Sequence, residues 1–127
     1  MGGDLRRFPF PEFERKISVG AHFRDRNGGE VVLMSIDVWS DRISLNFAYE
    51  ATTHPLQGAD GHPRSGPDWS VTDDVGTDYG WGAGGGGGSD GFCYGHAQFR
   101  PGVPDDARSL LISGPDLRHP VEVPLEQ

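Results

Sequence analysis

The chain is poor in cysteine, lysine and long apolar runs, and each scarcity removes a class of protein. Cys93 stands alone, so no disulfide can close within the chain. Lys16 is the only lysine, and ten scattered arginines complete the basic set against 19 Asp and Glu, for a net charge of −8. Nucleic acid and anionic membrane surfaces both call for clustered Lys and Arg, so neither is expected as a partner. No apolar run approaches the roughly 20 residues that span a bilayer. The start, from Met1 to Phe10, carries no apolar core of the kind a secretory signal needs, and Arg6 stands where a myristoylation signal has Ser or Thr. A cytoplasmic protein is the expectation. Apolar residues at helical spacing are also missing, so no amphipathic helix is expected.

Glycine and proline are abundant instead, at 20 and 10 of 127 residues. They imply many turns and therefore many strands. The excess of Arg over Lys, beside plentiful Gly, Asp and Pro, matches the composition of a GC-rich bacterial genome. At this length one core is expected, with residues 1–16 as an extended arm and 17–127 as one domain.

Phe8, Phe10 and Phe13, interleaved with Pro9 and Pro11, form that arm, because proline excludes helix and extends its predecessor. Such an arm either covers a sheet edge of its own subunit or docks on another. From Ile17 the period is two. Val19, Ala21 and Phe23 alternate up to Asn27-Gly28-Gly29, which suits a tight hairpin. Val32, Met34, Ile36 and Val38 are expected on one face of the next strand. Ile43, Leu45, Phe47 and Tyr49 then alternate against Arg42, Ser44, Asn46 and Glu50, one buried face and one wet face. Thr53 to Asp68 is a long polar connection, and loops of that size are functional or mobile. Trp69 and Val71 begin another strand, Asp74-Val75-Gly76 turns, and Thr77 to Trp81 returns. Gly82 to Gly88 holds six glycines and Ala83, a flexible loop by composition. Phe92–Phe99, Leu110–Ser113 and Val121–Leu125 complete seven to nine short strands, with a possible helical turn at Asp105-Asp106-Ala107. The sum is an all-β, antiparallel, immunoglobulin-like β-sandwich.

One segment carries a resemblance. Trp69, Val71, Asp73, Asp74, Gly76, Thr77 and Tyr79, followed by Phe99, Pro101, Pro104, Ala107 and Leu110, resemble uncharacterised actinobacterial immunoglobulin-like β-sandwich proteins. The stretch covers about forty residues, and it lacks the paired cysteines of antibody domains. The resemblance implies the fold and a role in adhesion, docking or scaffolding.

Candidate chemistry is thin. Gly87-Gly88-Ser89-Asp90-Gly91 satisfies the G-x-S-x-G pattern, but no helix follows to make a nucleophile elbow. The same glycines lack the Lys and helix start of a phosphate cradle. Asp73, Asp74, Asp78 and Asp90 gather oxygens at one tip. Calcium is conceivable there, although capping the turn is the simpler use of Asp73 or Asp74. His54, Asp60 and His62 share the long loop, and two His with one Asp is a reasonable transition-metal set on a scaffold too loose to hold it. Cys93 and His96, three apart on a strand, point to opposite faces. No cofactor is expected. The chain reads as a non-enzymatic module that binds a protein partner or itself. Its contact candidates are Phe8, Phe10, Phe13, Tyr79 and Trp81, and a small-ligand or calcium module at the Asp-rich tip is the alternative. A small metal-dependent hydrolase is the remote third.

Overall fold

A computed structural model describes residues 10–24, 29–50, 69–89, 91–113 and 120–125. These form eight strands and no helix: β1 (Phe13–Arg24), β2 (Glu30–Trp39), β3 (Ile43–Glu50), β4 (Ser70–Asp73), β5 (Gly80–Ser89), β6 (Phe92–Arg100), β7 (Ser109–Ser113) and β8 (Val121–Pro124). They make a five-stranded sheet ordered β1-β2-β3-β6-β5 and a three-stranded sheet ordered β4-β7-β8. Every pairing is antiparallel. With β1 set aside, the order β2-β3-β6-β5 over β4-β7-β8 is the A-B-E-D over C-F-G order of a constant-type immunoglobulin domain. The strand β1 is an addition beyond the first strand of that scheme.

The two sheets share one core. Val31, Leu33, Ile36, Val38, Ile43, Leu45 and Phe47 of the larger sheet are fully buried, as are Leu110 and Ile112 of the smaller. The Phe47 ring meets that of Trp69 at 5.2 Å between centroids, across the gap between the sheets. Trp69 and Val71 therefore point inward, as their alternation suggested. Tyr49, on the same face of β3, packs against Phe47 at 5.9 Å. Burial, followed by the neighbouring Cys93 thiol, pushes the Tyr49 hydroxyl up to about 12.

Several local readings are corrected. The expected face Val32, Met34, Ile36, Val38 is broken by a register shift between Leu33 and Ser35. Val31 and Leu33 enter the core before the shift and Ile36 and Val38 after it, leaving Met34 exposed. An irregularity of this kind inserts a residue and flips everything beyond it to the other face. On β3, Ile43, Leu45, Phe47 and Tyr49 do face the core, but Ser44 and Ala48 are buried too. That strand has a neighbour on each side, so its outward side chains are covered laterally. The arm is shorter than residues 1–16, since β1 begins at Phe13. No helical turn forms at Asp105-Asp106-Ala107, where the chain makes a plain turn. Thr77 to Tyr79 is not strand, which resumes only at Gly80.

The largest correction concerns the glycine run. Instead of a loop, Gly82–Gly88 is the body of β5, paired along its length with β6 from Gly80↔Arg100 to Ser89↔Phe92. Low side-chain content hid the strand, because no period can be read from residues without side chains. The geometry also demands glycine. A Cβ on Gly86 would lie 2.5 Å from the Tyr94 carbonyl oxygen, and one on Gly88 would strike the Phe92 carbonyl. The chain enters β6, the hairpin partner of β5, through Gly91 at φ +81°, a conformation that favours glycine.

Candidate interaction surface

The outward face of the larger sheet is built in registered rows. One row runs Lys16, Asp37, Ser44, Gln98, Ala83, and the next runs Ser18, Ser35, Asn46, His96, Gly85. A third runs His22, Val32, Ala48, Tyr94, Gly87. Over β1, β2 and β3 these rows are stitched by polar contacts. The Lys16 ammonium donates to Asp37 at 2.7 Å, and the Asn46 amide donates to Asp37 and Ser35 at 3.1 Å each. Toward β5 the stitching stops. Met34, Phe92 and Tyr94 are exposed, the last at 55% of its surface, and beyond them lies a strand with almost no side chains.

Shallow clefts follow this face. One, of about 410 Å³, is lined by Met34, Asn46, Gly86, Tyr94, Gly95 and His96. A larger one of about 710 Å³ lies between Phe10, Trp39, Arg42, His96, Gln98 and Arg100. Arg42 is not free to serve a ligand as a lone cation. It grips Asp41 at 2.8 and 2.9 Å, and that fork holds the Asp41 carboxyl below and the Arg42 guanidinium above its ordinary value.

The edge of β5 is the other notable element. Seven of its ten residues are glycine, and it bears no charged residue and no proline. Among the described residues it pairs with β6 and with no other strand. Its outer row of main-chain amides and carbonyls is therefore a template for another extended chain.

The candidate residues sort clearly. Trp81 is 65% exposed at the start of β5, as a contact residue must be. Tyr79 is not: it is 9% exposed, and its hydroxyl donates to Asp73 at 2.9 Å. Burial and the Asp73 carboxylate both push the Tyr79 hydroxyl up. Phe10 and Phe13 are exposed yet set edge-on against Trp39, at 6.3 and 5.1 Å. The Glu12 amide donates to the Ser40 hydroxyl at 2.9 Å and the Ser40 amide to the Glu12 carbonyl at 2.8 Å. The arm from Phe10 to Phe13 is thus fastened to the β2–β3 turn of its own subunit. Phe8 lies outside the described residues, as do Asp90, His54, Asp60 and His62.

At the acidic tip, Asp73 and Asp74 work as turn caps. Asp73 Oδ1 accepts from the Val75 and Thr77 amides at 3.0 Å each, while Oδ2 takes the Tyr79 hydroxyl. Burial raises the Asp73 carboxyl, but the Thr77 hydroxyl and amide, the Tyr79 hydroxyl and the Val75 amide outweigh it and leave it lowered. Asp74 Oδ1 accepts from the Arg108 amide at 2.9 Å, tying this turn to the start of β7. Asp78 is exposed. Among the described residues no three His, Cys, Asp or Glu stand close enough to hold a metal ion. Cys93 packs against the core while His96 lines the outward clefts, so the two do not form a pair.

Sequence reasoning missed Phe92 and Met34 as surface residues and β5 as an edge. A signal was present in β6, where Phe92, Tyr94, His96 and Gln98 alternate with Cys93, Gly95, Ala97 and Phe99. The core takes the second set because Gly95 lies against the Phe47 ring, where an added Cβ would come within 3.1 Å. That close packing sends the larger aromatics outward.

No protein-family model, curated protein or solved structure matches the chain. Among the described residues no helix is long and apolar enough to cross a membrane.

Proposed function

We propose that this protein is a non-enzymatic interaction module that binds protein by strand addition at β5, taking an extended segment of another chain or of a second copy. The observation that carries the reading is the edge itself, ten residues long, mostly glycine, and without the charges or proline that commonly close an edge to further pairing. Main-chain hydrogen bonds supply affinity in this mode, and neighbouring side chains supply selectivity. Trp81 at one end of β5 and Phe92 and Tyr94 beside it offer aromatic surface of the kind that dominates binding energetics.

The test is a titration of isotope-labelled protein with a lysine-flanked peptide of about ten residues, matched to a β-strand's reach. The amide signals of Gly82–Gly88 are expected to shift and to gain protection from exchange. Shifts confined to the Asp73–Gly76 turn or to the outward clefts would overturn the reading.

A further inference from the structure

The occupant of the β5 edge can be specified, and this step rests on the strand-addition reading. We infer that the incoming strand belongs to a different protein and carries large apolar or aromatic side chains at every second position on the outward face. A second copy of this chain is the wrong occupant.

Three observations lead there. Gly85 and Gly87 occupy the outward positions of β5, opposite His96 and Tyr94. A Cβ on Gly87 would meet the Tyr94 hydroxyl at 3.6 Å and one on Gly85 would meet the His96 ring at 3.3 Å, so these two side chains of β6 already lean over the glycine row and offer their rings to whatever packs beside it. A strand added one spacing beyond β5 lies roughly 9.5 Å from β6, close enough for its aromatic side chains to lean over the glycines toward the Tyr94 and Phe92 rings. Side-chain pairs across strands are what stabilise a sheet, and the glycine row supplies none of its own. The incoming strand has to bring them.

A second copy brings only more glycine. Charge opposes the same pairing. Each copy carries −8, and no residue from Gly80 to Ser89 is charged to offset that repulsion. A partner of neutral or positive charge meets no such opposition.

Two lysine-flanked peptides of equal length separate the possibilities, one alternating Tyr with Thr and the other alternating Ser with Thr. Each is titrated into the full chain and into the Gly87→Val and Tyr94→Ser variants. The Tyr peptide is expected to bind at least tenfold more tightly to the unaltered protein. Both variants should remove most of that advantage, Gly87→Val by filling the row and Tyr94→Ser by deleting the ring that is covered. Circular dichroism of each variant checks that it remains folded. Equal binding of the two peptides at β5 would overturn the assignment of the occupant and leave strand addition standing. Failure of both peptides to bind would overturn strand addition and this inference with it. Sedimentation of the protein alone is expected to show a monomer, and a dimer abolished by Gly87→Lys would make the second copy the occupant after all.

Discussion

At one edge of the larger sheet, β1 carries Lys16, the chain's only lysine, paired outward to Asp37 at 2.7 Å. Its neighbour Arg15 stands opposite the fully buried Val38, so it points toward the core side. The register of β1 breaks twice, between Phe13 and Arg15 and between Ser18 and Ala21, and Gly20 at φ +69° sits in the second break. Outward lysine, an inward charge and bulges are three devices by which proteins keep an edge from pairing further. At the opposite edge, β5 has a single register break, between Trp81 and Ala83, and otherwise runs straight, uncharged and bare. Among the described residues, one sheet therefore has a guarded edge and an unpaired one. The contrast teaches that the open edge is not simply what results when a sheet ends, because the same sheet closes its other end by several means.

The sharpest way to break the contrast is to place the same side chain on the two sides of β5. Gly86→Val drives a Cβ into the Tyr94 carbonyl and is expected to cost the upper part of about 1–3 kcal/mol, the range for overpacking. Gly87→Val meets the Tyr94 side chain at an ordinary contact distance of 3.6 Å and should change stability by less than about 0.5 kcal/mol, as surface substitutions do. Urea unfolding of the two variants measures the difference. Equal losses would mean that β5 is not held as described.

Next in size is the turn that leads into β5. Asp73→Asn weakens charge-assisted hydrogen bonds from Val75, Thr77 and Tyr79, with an expected cost of about 1.5 kcal/mol. The Asp73 carboxyl is lowered in the folded protein, so the unfolded chain binds the proton more readily. Its contribution is complete above the ordinary carboxylate value and fades as pH falls through the lowered one. Stability of the parent protein should therefore decline in acid more steeply than that of Asp73→Asn, and parallel pH profiles would refute the role.

At the guarded edge, Gly20→Ala meets no neighbour within 4 Å but must hold a positive φ, with an expected loss of about 1 kcal/mol. The smallest effect is Lys16→Ala. Its salt bridge is exposed, with side chains 56% and 22% accessible, and should contribute under about 1 kcal/mol. Its value to the protein is as a guard. The double variant Lys16→Ala with Arg15→Thr should bind a strand-forming peptide at β1, and amide shifts along β1 would register it.

The central strands were legible from residue types alone. Ile43, Leu45, Phe47 and Tyr49 announce a buried face by alternation, and they occupy it. The Asp73 turn was legible in the same way, since Asp followed by Gly76 two residues past its neighbour is turn chemistry. Tyr79 is a contact candidate by residue type and is buried in the fold, because its hydroxyl reaches Asp73 and no local pattern reports a contact six residues away.

What the sequence by itself determined is the class of fold, two antiparallel sheets around one core, because apolar period and turn residues are local properties written in neighbouring positions. Tertiary structure alone decided where the register shifts, which way Met34 and Tyr94 face, and that a run of glycine is a strand. Gly82–Gly88 has no side chains from which a period could be read, so its conformation is imposed by the main-chain hydrogen bonds and close approach of β6. The open edge arises from that same absence of side chains, and no residue type in the run marks it as an edge.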